Sequence, residues 1–312
     1  MIPALWCKSH FSFLEGASAP DELVARAVEL GLPALALTDR DGVPGIPSAW
    51  VAAKDQQLKL ITGSQVTLEG GTSLVLLAQD RRGYANLCRL VTAGRLRSPK
   101  GECSVRKEEV AQHAAGMIAL WGGRESSLVA EPEPHDEAIL WRDAFGDRLY
   151  ALVARHLDAT EQRAEQRLRQ RAVRHELPVV AAVEVLYHAR RRRPLQDVLT
   201  CIRTGTTLAD AGTRLRPNDR HALPSPRLMQ RLFADDPAAL ARAQEVADRC
   251  VFDLGALRYR YPAEFLPFGM SEARWLDILV QKGARERFGT PVPRDMAARI
   301  AREMALIHDL DY

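Results

Sequence analysis

Short apolar runs alternate repeatedly with stretches of helical spacing along this chain, and that alternation narrows the folds open to it. Apolar runs suited to strands fall at residues 4–8, 34–38, 59–62 (an extension over 65–68 is left open), 74–78, 117–121, 149–153 and 178–183. Between them, helical spacing occupies 21–30, 48–56, 84–93, 136–144 and 159–175. Continuous apolar runs, in place of strict alternation, are what strands buried on both faces look like, and strand–helix alternation argues for a mainly parallel α/β sheet or barrel. The first helix has clear ends: Ser18 is a candidate N-cap, Pro20 sits in the first turn, and Asp21 and Glu22 suit the helix dipole. Gly31 supplies a left-handed C-terminal residue and Pro33 blocks continuation. No G-x-G-x-x-G turn follows the first strand, which argues against a dinucleotide-binding fold.

Beyond about residue 190 the strand-like runs nearly vanish, and helices are expected over 195–203, 225–233, 237–250, 272–287 and 295–310. Residues 259–267 (YRYPAEFLP) read as an extended linker, and the main boundary is placed near there. Residues 131–137 (EPEPHDE) read as an acidic surface loop. Lys and Arg total 43 against 40 for Asp and Glu, so a global polyelectrolyte role on nucleic acid is not suggested. Residues 1–13 do not resemble a signal peptide, and no window is apolar enough for a membrane helix. Five scattered cysteines without a C-x-x-C pair suggest reduced thiols and a cytoplasmic setting.

In a parallel barrel, working groups gather where strands run into the following loops. Those strand ends hold Lys8-Ser9-His10, Asp39-Arg40, Ser64-Gln65, Gln79-Asp80, Trp121-Gly122-Gly123, Arg155-His156 and Glu184. Asp39, after the apolar run ALALT, could be a metal ligand or a base, but on the residues alone an N-cap or turn aspartate is the preferred reading. Metal sites commonly begin with H-x-H on a strand, and none occurs here. His10 and His188 are single histidines beside strand ends; His113, His135, His156, His175, His221 and His308 read as solvated. The Arg190–Arg193 run could contact phosphates, but a solvated helix start is the preferred reading.

The segments LWCKSHFSFLEGAS (5–18), GLPALALTDRDGVPG (31–45), LITGSQVTL (60–68) and SLVLLAQDRRGYANLCRL (73–90), then GMIALWGG and LPVVAAVEVLYHARRRRPLQDVLTCIRTGTTL, occur in family order. Together they resemble the PHP domain that opens bacterial C-family replicative polymerases, most closely the error-prone branch used in damage-induced mutagenesis. The resemblance implies an α/β fold, a distorted seven-stranded (βα) barrel followed by a mostly helical extension. Residues 1–262 would form the PHP domain, with the barrel over about 1–190 and a helical remainder over about 191–262. Residues 263–312 would be a linker and the first helices of the polymerase palm.

The family's metal ligands are carried over position by position. Its opening H-x-H falls on Trp6 and Lys8, the next acidic residue on Glu15, and the aspartate of its T-D-H motif on Asp39, with Arg40 in place of the histidine. The later acidic residue is Gln65, the histidine opening the next strand is Ser73, and the closing D-x-H falls on Glu184 and Leu186. Three carboxylates remain, every aligned histidine is gone, and two fixed cations stand among them. The resemblance therefore implies a vestigial centre with no catalytic residues and no resident metal. Glu15, Asp39 and Glu184 should converge, with Lys8 and Arg40 supplying charge and Trp6 and Leu186 filling the vacated volume. The resemblance further implies a structural module within a DNA-directed DNA polymerase that requires Mg2+ as a whole. Its partners would be the rest of the polymerase chain, DNA through the full-length protein, an inactive Y-family-like member of the mutagenesis assembly, and a sliding clamp. The competing expectation is an active metal-dependent phosphoesterase or 3′–5′ proofreading exonuclease that uses His10 and His188 as displaced ligands.

Overall fold

A computed structural model describes residues 2–257, 266–267 and 269–310. The chain divides into two compact units, Met1–Ala256 and Leu257–Tyr312. The first is built on one seven-stranded sheet in sequential order: β1 (Ala4–Cys7), β2 (Ala34–Leu37), β3 (Lys59–Thr67), β4 (Ser73–Ala78), β5 (Met117–Gly122), β6 (Leu149–Ala154) and β7 (Val179–Ala182). The ends of the sheet meet: Cys7 bridges Val185, the Lys8 amide donates to the Val185 carbonyl at 2.9 Å, and the Val185 amide donates to the Trp6 carbonyl at 2.9 Å. The sheet is thus a nearly closed barrel.

Side-chain alternation sorts each strand into two layers. Leu5, Ala34, Ala36, Ile61, Val75, Leu77, Ile118, Leu120, Leu152 and Val180 fill the interior, while Leu35, Leu37, Leu74, Leu76, Ala119, Trp121 and Val153 join the outer core with the helices. Both layers are apolar, which is why the strands read as unbroken runs. The surrounding helices are α1 (Pro20–Glu29), α2 (Ile46–Asp55), α3 (Arg81–Arg97), α4 (Lys107–Gln112), α5 (His135–Phe145), α6 (Glu161–Arg174), α7 (Arg193–Thr204) and α8 (Pro226–Leu232). A further helix, α9 (Pro237–Arg249), belongs to the barrel itself: its Ala243, Val246 and Ala247 pack with the interior layer. The start of β7 touches α9 too, where Arg242 donates to the Val179 carbonyl at 3.1 Å. One end of the barrel is therefore plugged, and the other carries the polar side chains.

Several expectations need correction. Strand–helix alternation fails between β3 and β4, where Gly70 (φ +93°) and Gly71 (φ +84°) make a tight hairpin. As a result β4 pairs antiparallel with both β3 and β5, and its first residue, Ser73, faces the same mouth as the last residues of the parallel strands. Ser18 does not cap α1; Ala19 occupies the cap position, its amide donates to Glu22, and the Ser18 hydroxyl pairs with His188 Nδ1 at 2.8 Å. Gly31 does take the left-handed conformation, at φ +64°. Residues 131–137 are more than a surface loop. His135, Asp136 and Glu137 begin α5, and Glu137 is buried, accepting from Trp141 Nε1 at 3.1 Å and pairing with Ser127 and Lys107.

The second unit contains α10 (Glu272–Phe288), capped by Ser271, and α11 (Arg294–Asp309), with His308 3.6 Å from Asp277. The linker read over 259–267 falls almost wholly outside the described residues. Among the described residues, no helix is long and apolar enough to cross a membrane, and all five cysteines are free.

Candidate functional site

The loops after β1, β2 and β7 bring Lys8, Glu15, Arg40 and Glu184 to the open mouth. Lys8, 1% exposed, places Nζ 2.8 Å from Glu15 Oε2 and 2.8 Å from Glu184 Oε1. Arg40 grips Glu15 through Nε and through a second nitrogen at 3.1 Å. Burial by itself would raise the Glu15 carboxyl, but Lys8 and then Arg40 outweigh it and hold the pKa down at about 2. Glu184 behaves alike: burial opposes ionisation, while Lys8 and then Arg216 hold it well below the usual carboxylate range. Both carboxylates are therefore charged and already matched by fixed cations.

Asp39 does not join this cluster as expected. Its oxygens accept from the Ser9 amide at 2.7 Å, the Ser9 hydroxyl at 2.8 Å and the Ser12 hydroxyl at 2.7 Å. Burial pushes its pKa up despite these donors. Its partners are thus hydroxyls and a backbone N–H, not Lys8 or Arg40.

Trp6 and Gln65 make the second half of the mouth. The indole Nε1 donates to Gln65 Oε1 at 2.8 Å, and Gln65 Nε2 donates to Ser73 at 2.9 Å and Glu125 at 3.2 Å. The far edge of the indole lies against Gly123 (φ +83°), where an added Cβ would come within 2.5 Å of the ring. Leu186 is buried in a small apolar cluster with Ala17 and Tyr187. The structure thus brings Trp6, Lys8, Glu15, Arg40, Gln65, Ser73 and Glu184 into one connected network, with Asp39 linked to it through Ser12, which also receives the Arg40 amide at 3.0 Å.

Five participants were not foreseen. Arg203 reaches Glu15 at 3.4 Å, Arg216 reaches Glu184 at 3.0 Å, and Glu125 receives Arg40 at 2.8 Å. His156 and His221, expected to be solvated, are 5% and 3% exposed and stack at 3.9 Å. Their contacts set their roles. His156 Nε2 accepts from the Glu184 amide at 2.9 Å and Nδ1 faces Glu161 at 2.6 Å, while His221 Nδ1 lies 3.0 Å from the Glu184 carbonyl. His175 is buried as well, against Glu133. The only sequence signal was the position of His156 at a strand end.

The alternative ligands are not assembled. His10 is exposed against Phe11, and His188 is held by Ser18 and lies 3.9 Å from Glu22. Among the described residues, no group of three or more His, Cys, Asp or Glu is arranged to hold an ion. The four arginines of the 190–193 run are tied to neighbours: Arg190 to Asp219, Arg191 to His188, Arg192 to Glu22 and Arg193 to Asp197.

Comparison with known proteins adds to this geometry. A family model described as "PHP domain" matches residues 5–164, just over half of the chain. The chain is 40% identical over 310 residues to an error-prone DNA polymerase of Pseudomonas aeruginosa, covering 99% of this chain and 29% of that protein. It is 42% identical over 310 residues to an error-prone DNA polymerase of Alkalilimnicola ehrlichii, again 99% of this chain and 29% of that one. A solved amidohydrolase from Chromobacterium violaceum aligns with 60% of this chain and 88% of its own at 18% identity and a TM-score of 0.40. The chain spans less than a third of the length of the curated relatives it matches.

Proposed function

Because the chain belongs to the PHP domain family, we propose that it is the N-terminal PHP module of a longer error-prone DNA polymerase and serves that enzyme as a structural brace, without hydrolytic chemistry of its own. One observation carries the reading: the Lys8 ammonium lies 2.8 Å from both Glu15 and Glu184. Metal-assisted phosphoester hydrolysis needs anionic or imidazole donors converging on an ion that activates water. Here Glu15 and Glu184 are occupied by Lys8, Arg40, Arg203 and Arg216, so an incoming divalent cation would meet fixed positive charge, and Asp39 is committed to Ser9 and Ser12. Trp6 adds apolar bulk beside them, and its one polar atom is committed to Gln65. The residues present do not fit a metal cluster.

The polymerase assignment rests on similarity across nearly the whole of this chain. Under it, nucleotidyl transfer with Mg2+, DNA binding, damage-induced mutagenesis and contacts with a clamp or an inactive Y-family-like partner belong to the full-length protein. Elemental analysis of the purified, dialysed chain tests the reading. It should hold less than one equivalent of zinc, manganese or iron, and two or three tightly bound ions per chain would overturn it.

A further inference from the structure

Beside the Lys8 cluster an apolar slot of about 110 Å³ opens between the ends of β5, β6 and β7 and the start of α6. Its body is carbon: the Trp6 ring, Leu152, Ala164 and Leu168 line it. Two polar features stand out. His221 lines the wall, and with Nδ1 directed at the Glu184 carbonyl at 3.0 Å it is the Nδ1–H tautomer, leaving Nε2 as an acceptor. Nε2 has no partner among the described residues, and it is not one of the side-chain atoms sealed from solvent without a partner. Burial and the stacked His156 ring hold the His221 pKa well below its usual value, so the ring stays neutral at pH 7. Arg124, exposed at the rim beside Gly123, makes no ion pair or hydrogen bond among the described residues, although Asp158 stands near enough to feel its charge.

The shape of the slot follows from two residues. Gln65 fixes the indole by its Nε1, and Gly123 lets the opposite edge of the ring lie flat where any Cβ would collide. The result is a rigid aromatic wall; the charged groups Glu161, Glu165, Glu184 and Arg216 also line the slot, each held by a partner of its own. An apolar cavity of about 150 Å³ takes up benzene, so a slot of this size that opens outward suits one six-membered ring. The unpartnered imidazole acceptor in its wall selects for a donor on that ring, because the analogue lacking the donor leaves the acceptor desolvated and unpaired.

We propose that this slot is a binding site for a single aromatic ring bearing an O–H or N–H donor, whose donor meets His221 Nε2 and whose acceptor or anionic substituent lies toward Arg124. The ring comes either from a free small molecule or from a tyrosine-like side chain of a partner; the shared chemistry is the same. The site does not depend on the absence of a metal, so its test is separate from elemental analysis.

The probe is 4-hydroxybenzoate, titrated into the whole chain and followed by saturation-transfer NMR together with the 15N shift of the His221 imidazole. A ring of about ten non-hydrogen atoms should bind with a dissociation constant of order 1 mM. The 4-methoxybenzoate ether, which lacks the donor, should bind about tenfold more weakly. Ala164→Met, which fills the slot and leaves the Lys8 cluster alone, should abolish binding, and Arg124→Ala should remove the preference for the carboxylate over 4-hydroxybenzyl alcohol. N-acetyltyrosinamide separates the sources: binding equal to the free phenol assigns the slot to a partner side chain, and exclusion assigns it to a free ligand. Equal binding of the hydroxy and methoxy compounds, an unchanged His221 15N shift at saturation, or wild-type binding in a folded Ala164→Met protein would overturn the proposal.

Discussion

Replacing Lys8 with methionine removes the cation shared by Glu15 and Glu184 while keeping most of the unbranched stem of the side chain. Glu15 is held at about 2 against an ordinary value of 4.5, a preference for the ionised state worth roughly 3 kcal/mol. Lys8 and Arg40 share that effect, so about half of it, ~1.5 kcal/mol, is lost at Glu15. Glu184, for which Lys8 is the leading cation, is also left less well compensated, although Arg216 still holds it. With two buried carboxylates losing their shared cation, the cost should reach ~3 kcal/mol, the low end of what breaking a buried ion pair costs. For a unit of this size the melting temperature should drop by about 6–12 °C at pH 7. Both carboxylates have folded pKa values below their unfolded ones. Their contribution is therefore complete above the unfolded value of 4.5 and fades as the pH falls toward 2. The gap between wild type and Lys8→Met should accordingly narrow below about pH 5. Thermal and urea unfolding of both proteins at several pH values checks this. Adding Glu184→Gln should recover part of the loss, whereas adding Asp39→Asn should be independent of Lys8, because Asp39 is held by Ser9 and Ser12. A drop under about 2 °C, a gap that ignores pH, or stronger coupling to Asp39 than to Glu184 would refute the reasoning.

The same mouth supports two further tests. Gly123→Ala adds a Cβ 2.5 Å from the Trp6 ring at a φ of +83°, and backbone strain plus overpacking should cost about 2–4 kcal/mol in urea unfolding; Trp6→Leu in the same chain should restore the packing part only. Incubated with a primed DNA template and Mg2+ or Mn2+, the chain should neither extend nor trim the primer, and metal-dependent trimming that disappears in Asp39→Ala would defeat the structural role proposed for it.

Much of the barrel was legible because strands buried on both faces must be apolar throughout, and all seven runs became strands. The β4 reversal was missed although Glu69-Gly70-Gly71-Thr72 carried a hairpin signal, since the apolar run over 74–78 has no direction of its own. Helix α4 has only six residues, too few to display a period. Ser18 looked like a cap by local rules, but its hydroxyl is claimed by His188, 170 residues away. No reading of a single segment finds such a competitor.

The charged mouth divides along the same line. Positions matched to the family motif located Lys8, Glu15, Arg40 and Glu184, and Lys8 is the centre of the ion pairs as expected. Motif positions say which donors are present, but not what holds the carboxylates that remain. Glu15 and Glu184 take Arg203 from the end of α7 and Arg216 from the loop beyond it, in stretches that read locally as polar surface. Asp39 takes two serine hydroxyls from the loop after β1. Those serines sit beside Lys8 in the sequence, yet two neighbouring carboxylates are satisfied by ammonium and a third by hydroxyls. Neutralisation at this mouth is therefore a property of the closed barrel, which joins residues 8, 15, 40, 184, 203 and 216 in one set of ion pairs. A variant that leaves every motif position intact but removes Arg216 would still strip Glu184 of one of its two cations.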